Sequence, residues 1–282
     1  MKFSLTHLKY LLITGFLFFA IQQKNYAGGF PIRPKSLLLS PSVNYFFAKK
    51  GWDTLRNTKA FANEGRFNSV TFSLYSEYGL SRRFSLVAVL PYAMNSYKDN
   101  AGYNQTSQGL TDLEVGVKYY AANINYIYYF CIQGTYITPL YNNLSLGYSS
   151  QGAELKLSFA GSGKLWSKNF YFNVENGVRQ YFGGEGPIQD RYSGTFGITL
   201  DSRFKHQVTV TAGGFYATSS LGTAFNAKQI GTNKNFAFNQ ASLSYGYSFV
   251  KQFSVFLTAG TFLSGRNTGN GSSAAIAFII KP

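Results

Sequence analysis

The chain has 282 residues; 13% are charged, 18% are aromatic, and the formal net charge is +15. So many rings exclude a disordered chain, and the single Cys131 excludes a disulfide scaffold and a cysteine-built zinc site. With 22 Tyr, 27 Phe and 29 Gly, the composition favours strands and turns over helices.

Residues 1–27 read as a secretory signal peptide. Lys2, His7 and Lys9 form its basic start, residues 10–21 (YLLITGFLFFAI) its apolar run, and Ala27 before Gly28 the cleavage point. A retained anchor is the competing reading, but this run is shorter than the roughly 20 residues a membrane helix needs. No cysteine lies near the cleavage point to accept a lipid. Cleavage removes Lys2, Lys9 and Lys24 and lowers the charge from +15 to +12. For an exported basic protein the nearer anionic partner is a lipid phosphate, not a nucleic acid.

No later stretch is apolar enough for a transmembrane helix. From Ser36 onward apolar and polar residues alternate, as in 70–74 (VTFSL), 192–200 (YSGTFGITL) and 243–249 (LSYGYSF). This period predicts about twelve strands, at 36–48, 68–80, 84–94, 109–121, 124–138, 151–160, 169–182, 190–201, 206–217, 236–249, 252–263 and 272–281. Long connections at 49–67, 95–108, 139–150 and 218–235 alternate with short ones at 81–83, 122–123, 202–205 and 250–251. The segments 161–168, 183–189 and 264–271 read as intermediate. A soluble β-sandwich has short alternating strands too, but it does not sort its connections by length. The fold expected is all-β: a transmembrane antiparallel barrel of about twelve strands filling residues 28–282, with both termini periplasmic.

Charges in the strands keep to one parity. Asp112, Glu114 and Lys118 oppose Leu113, Val115 and Val117; Glu154 and Lys156 oppose Leu155 and Leu157. Glu175 and Arg179 oppose Val174 and Val178, Arg191 opposes Tyr192, and Glu77 shares a face with Tyr75. In a barrel these nine residues point into the lumen. Pairs such as Glu114 with Lys118 and Glu175 with Arg179 then neutralise a filled interior, or the set lines a pore and tunes its selectivity. Strand 124–138 is apolar on both faces, giving either an apolar patch in the lumen or tyrosine hydroxyls as its polar side. Cys131 reads there as a small packed residue. Trp166 reads as an interfacial anchor. Basic residues crowd the short turns (Arg82, Arg83, Lys164, Lys168, Arg203, Lys205, Lys251) and the first long loop (Lys49, Lys50, Arg56, Lys59, Arg66). They are either plain solvated charge or contacts to lipid phosphates.

Catalytic residues are not in evidence. His7 leaves with the signal, His206 starts a strand beside a short turn, and no nucleophile or second histidine accompanies it. No enzyme activity, metal or cofactor is expected.

The run 78–86 (YGLSRRFSL), the Leu90-Pro91-Tyr92 that follows, and 109–119 (GLTDLEVGVKY) resemble the outer-membrane barrel family named for the meta-pathway of phenol degradation. The resemblance is confined to about 68–120. It implies a channel for small, often hydrophobic, molecules. Related fatty-acid transporters place a hatch before the first strand; about nine residues between Ala27 and that strand are too few for such a plug. The ending Phe278-Ile279-Ile280-Lys281-Pro282 also departs from the common aromatic last residue. The function expected is passive transport across the outer membrane. The alternative is a structural or surface-binding protein with a closed lumen, its loops 49–67, 95–108 and 218–235 doing the work. Partners expected are outer-membrane lipid and lipopolysaccharide, a small solute, and the barrel-assembly machinery.

Overall fold

β-Branched and aromatic residues at every second position favour an extended, half-buried backbone, and each of the twelve expected segments is a strand. The computed structural model describes residues 30–183, 186–220, 226–228 and 233–282. The expected signal peptide lies outside them, as do parts of the segments 183–189 and 218–235. In chain order the strands are β1 (Leu37–Trp52), β2 (Thr58–Ala60), β3 (Arg66–Gly79), β4 (Phe84–Lys98), β5 (Asn104–Leu110), β6 (Asp112–Ile124) and β7 (Tyr128–Pro139). Then follow β8 (Gly152–Leu165), β9 (Lys168–Tyr181), β10 (Ile188–Thr199), β11 (His206–Thr218), β12 (Ala237–Val250), β13 (Phe253–Arg266) and β14 (Thr268–Ile280).

All fourteen belong to one antiparallel sheet, and β14 returns to pair with β1. The short β2 pairs only with the end of β1. β5 continues into β6 through Thr111, whose N–H donates to Pro91 O (3.0 Å) and whose carbonyl accepts from Leu140 N–H (3.2 Å). The closed wall therefore has twelve staves.

Opposed residues in a ladder share a face, so the register divides inside from outside. Outward lie Leu155, Leu243 and Leu257, each more than half exposed, whereas inward Glu77 and Lys118 are 3% and 5% exposed. Exposing leucine and burying charge is unfavourable in water. It is favourable where hydrocarbon surrounds the wall and the charges find partners inside. This is a membrane-spanning barrel turned inside out relative to a soluble domain.

Several expected connections differ from those observed. β8 and β9 run into the segment expected at 161–168 and leave only 166–167. β4 and β5 run into the segment expected as loop 95–108 and leave only 99–103, where Asp99 accepts the N–H groups of Ala101 and Tyr103, both at 3.0 Å. The turn expected at 122–123 falls at 125–127, because a bulge between Tyr120 and Ala122 adds a residue and shifts the alternation. The polar segment 264–271 is strand apart from Asn267. Its glycines face inward under rings: a Cβ on Gly265 would lie 2.3 Å from Trp52, and one on Gly271 2.8 Å from Phe46. They read as loop residues from composition, yet they are there for close packing. Trp166 sits in the two-residue turn after β8, fully in the open.

Candidate functional site: the lumen

The turns 80–83, 125–127, 166–167, 200–205 and 251–252 lie at one end of the barrel; the long connections 53–65 and 140–151 lie at the other, together with the short turns at 99–103 and Asn267. The nine expected charges all point inward from the wall of β3 to β10, most of them in two clusters. In the cluster nearer the short turns, Lys118 Nζ is 2.7 Å from Glu77 Oε2. Tyr75 donates to the same oxygen (2.6 Å) and Ser85 to Oε1 (2.7 Å). Tyr120 Oη lies 3.2 Å from Oε1 and 2.9 Å from the carbonyl of Phe30. Glu77 thus has donors on both oxygens, which a buried carboxylate requires.

In the cluster nearer the long loops, Arg179 bridges three strands. Its Nε donates to Glu154 Oε2 (2.7 Å), its Nη2 to Glu114 Oε1 (2.6 Å) and its Nη1 to Tyr181 (3.3 Å). Arg191 Nη1 shares Glu154 Oε2 at 2.8 Å, and Tyr181 passes a hydrogen bond to Asp112 Oδ2 at 3.0 Å. Between the clusters Lys156 pairs with Glu175 at 3.4 Å. The expected pairs are therefore corrected. Glu114 meets Arg179, not Lys118, and Glu175 meets Lys156, not Arg179. Residues four apart on one strand are about 13 Å apart at 3.3 Å per residue, so the partners come from neighbouring strands.

Sequence reading placed Tyr75 on the face of Glu77 but assigned none of the tyrosines that complete both clusters a part in them. Their signal was present: Tyr75, Tyr120 and Tyr181 each stand two residues from Glu77, Lys118 and Arg179, hence on the same face. On β7 the inward side is Tyr129, Cys131, Gln133, Thr135 and Ile137, so the strand is mixed inside and its rings Tyr128, Phe130 and Tyr136 face out. Cys131 is buried opposite Ser158.

The opposite wall has a different chemistry. Inward residues of β11 to β14 are Thr209, Thr211, Ser242, Ser244, Thr258, Ser273, Ala275 and Ala277. Towards the long loops this neutral wall bears an arc of phenylalanines. Phe215, Phe238, Phe262, Phe46 and Phe67 follow one another at centroid distances of 5.0, 4.4, 5.1 and 6.2 Å. Arg191 closes the arc with its guanidinium 4.8 Å from the Phe215 ring centre.

Chain segments cover part of both mouths. About nine residues are too few for a plug, but Phe30 reaches inside, buried against Tyr129 (5.5 Å) and Ala160. It is anchored by Lys35 and Ser36 pairing with Gly79 at 2.7 and 3.0 Å, where a side chain on Gly79 would strike Arg33 O. At the other mouth Tyr148 packs on Tyr181 at 4.8 Å and donates to Asn233 O at 2.9 Å. Ala227 reaches the cluster of Ala48, Phe61, Phe67 and Tyr97, and Lys228 lies 3.7 Å from the Tyr103 ring centre. His206 faces outward, its Nδ1 2.6 Å from Tyr245 Oη and its N–H bonded to Asp201. Among the described residues no group of three His, Cys, Asp or Glu is arranged to hold a metal ion.

These features define the class of membrane-spanning β-barrels with a polar lumen. No family model matches the sequence, and no curated protein matches it. Solved structures do match. An outer membrane channel from Pseudomonas putida F1 superposes with a TM-score of 0.69 at 12% identity, covering 92% of this chain and 100% of that one. The transport unit of the autotransporter AIDA-I from Escherichia coli gives 0.51 at 10% identity, with 97% of each chain covered. At these identities the likeness establishes the fold.

Proposed function

We propose that the protein is a passive channel of the outer membrane for small solutes, freed of residues 1–27 on export and oriented with its short turns and both termini in the periplasm. The observation that carries this reading is the polar lumen wall enclosed by an apolar outer one. Glu77, Asp112, Glu114, Lys118, Glu154, Lys156, Glu175, Arg179 and Arg191 form its electrostatic lining and take part in no catalytic step. The neutral wall and the phenylalanine arc favour solutes with apolar surface. That agrees with the resemblance of 68–120 to the barrel family of phenol degradation and with the channel of similar fold from Pseudomonas putida F1. Phe30 and Tyr148 narrow the two mouths, so the passage suits small molecules. Outer-membrane lipid and lipopolysaccharide surround the barrel, which the assembly machinery inserts.

The test is single-channel conductance in a planar bilayer, on protein whose folding is first verified by heat-modifiable gel mobility. Discrete steps are expected. Glu114→Gln shifts selectivity towards anions, and Lys118→Gln, which leaves Glu77 uncompensated, shifts it towards cations. A folded barrel that stays electrically silent overturns the reading.

A further inference from the structure

The outer face of β1, β3 and β4 changes character in steps towards the long loops. In register on β3 and β4 come the outward pairs Leu74–Leu90, Phe72–Tyr92, Val70–Met94, Asn68–Ser96 and Arg66–Lys98. On β1 the sequence is Val43, Tyr45, Phe47 and Lys49, with Tyr45 donating to Asn68 Oδ1 at 2.8 Å. Apolar residues give way to an aromatic and amide layer, and that layer to cations. At about 3.3 Å per residue, Arg66 stands about 13 Å along the strand from Val70. This is the spacing of hydrocarbon, interface and headgroup at a membrane surface.

Arg66 and Lys98 are direct cross-strand partners and both are exposed. Like charges so placed repel each other. Lys49 adds a third cation on the same face, lying over Phe47 at 5.6 Å. Among the described residues none of the three forms an ion pair. The nearby acids are engaged elsewhere: Asp53 with Lys59, Glu64 with Asn100, and Asp99 with its own turn. At the same level β5 shows only Asn104, Thr106 and Gln108 outward, and β10 shows Asp190 bonded to Asn176. Arg266 on β13 also faces outward at this level, but it is bonded to Asn235 and lies over the Tyr216 ring; Lys49, Arg66 and Lys98 stand together on three neighbouring staves.

We infer that Lys49, Arg66 and Lys98 form a docking site for a phosphate group of a phosphorylated glycolipid in the outer leaflet. The lipid's acyl chains lie along Val70, Met94, Phe72 and Tyr92. The phosphate supplies the counter-charge that the register demands, and the aromatic layer sits at the sugar level. This inference rests on the outer-membrane reading.

The experiment uses the refolded barrel in detergent and lipid A with and without its phosphates. Binding is read by native mass spectrometry, and heat-modifiable mobility checks each sample. Phosphorylated lipid A is expected to bind and dephosphorylated lipid A to bind at least tenfold more weakly. In R66Q/K98Q the affinity falls about thirtyfold, about fivefold for each charge removed near an anionic surface. R66K/K98R restores it, and R82Q/R83Q at the other end leaves it unchanged. Equal binding of the two lipids overturns the site without any variant having to fold. So does saturation by inorganic phosphate alone at concentrations that match the lipid, which would make it a free-phosphate site. Loss of heat-modifiable mobility in the wild-type protein would instead count against the barrel itself.

Discussion

Glu154 holds two guanidinium groups on one oxygen, with Arg179 at 2.7 Å and Arg191 at 2.8 Å. Replacing it with Gln leaves Arg179 buried with only Glu114 as its counter-ion. Breaking a buried pair costs about 3 to 5 kcal/mol, so Glu154→Gln is expected to destabilise the barrel by about 3 kcal/mol in urea titrations. Arg191→Gln should cost less, because Arg191 is partly exposed and Glu154 keeps its other partner. At the opposite end, the N–H groups of His206 and Arg203 hold the Asp201 carboxyl below its usual value. A lowered folded value means that the carboxylate stabilises its turn above the ordinary aspartate range of about 3.9. That contribution disappears as pH falls through the lower folded value. Amide protection at His206 should therefore fall in strong acid while the strands stay protected, and an unchanged exchange rate would refute this role.

For single strands, the alternation of side chains was enough to place every stave, and its inward face wherever a charge marked the parity; strand 124–138, without one, stayed open. It was enough because hydrocarbon outside tolerates no charge, so each strand must keep its polar residues on one parity. Leu243, outward at the middle of β12, tests this directly. Leu243→Arg is expected to cost about 2 to 4 kcal/mol of folding free energy in lipid, whereas Ser242→Arg, one residue away and inward, should act on conductance instead. Ends and pairings were harder to read. The bulge at Tyr120 adds one residue that no periodicity announces, and the glycines at 265 and 271 look like loop composition until Trp52 and Phe46 are seen lying over them. The salt-bridge partners depend on the stagger between staves, which one strand's sequence does not encode. The pairing of Arg179 with Glu114 spans 65 residues.

Over the whole molecule, a charged wall faces a neutral one, and both mouths carry chain of their own. The asymmetry could be read from the absence of Asp, Glu, Lys and Arg in the expected strands 206–217, 236–249 and 252–263, but the mouth coverings could not. They depend on single contacts, such as Tyr120 to Phe30 and Tyr148 to Asn233, between segments with no periodic pattern. Phe30→Ala is expected to raise single-channel conductance without altering heat-modifiable mobility, since Phe30 belongs to no strand and the ladders β7–β8 and β6–β7 do not run through it. Equal conductance would mean that the constriction lies elsewhere.

The join between β14 and β1 has a kinetic consequence. Every other ladder links segments that follow one another in the chain, so its ends meet after a short excursion. The join matches Leu39 with Ile280 and Trp52 with Thr268, and nearly the whole chain must be threaded before either contact exists. Loop-closure entropy concentrates in this one event. The cylinder should therefore assemble as a row of quickly formed hairpins and then wait on a single slow stitch. Along its middle the interior edge offers only Ser42, Asn44, Ala275 and Ala277 to hurry it, and apolar contacts at Phe46 and Ala48 come only at the long-loop end.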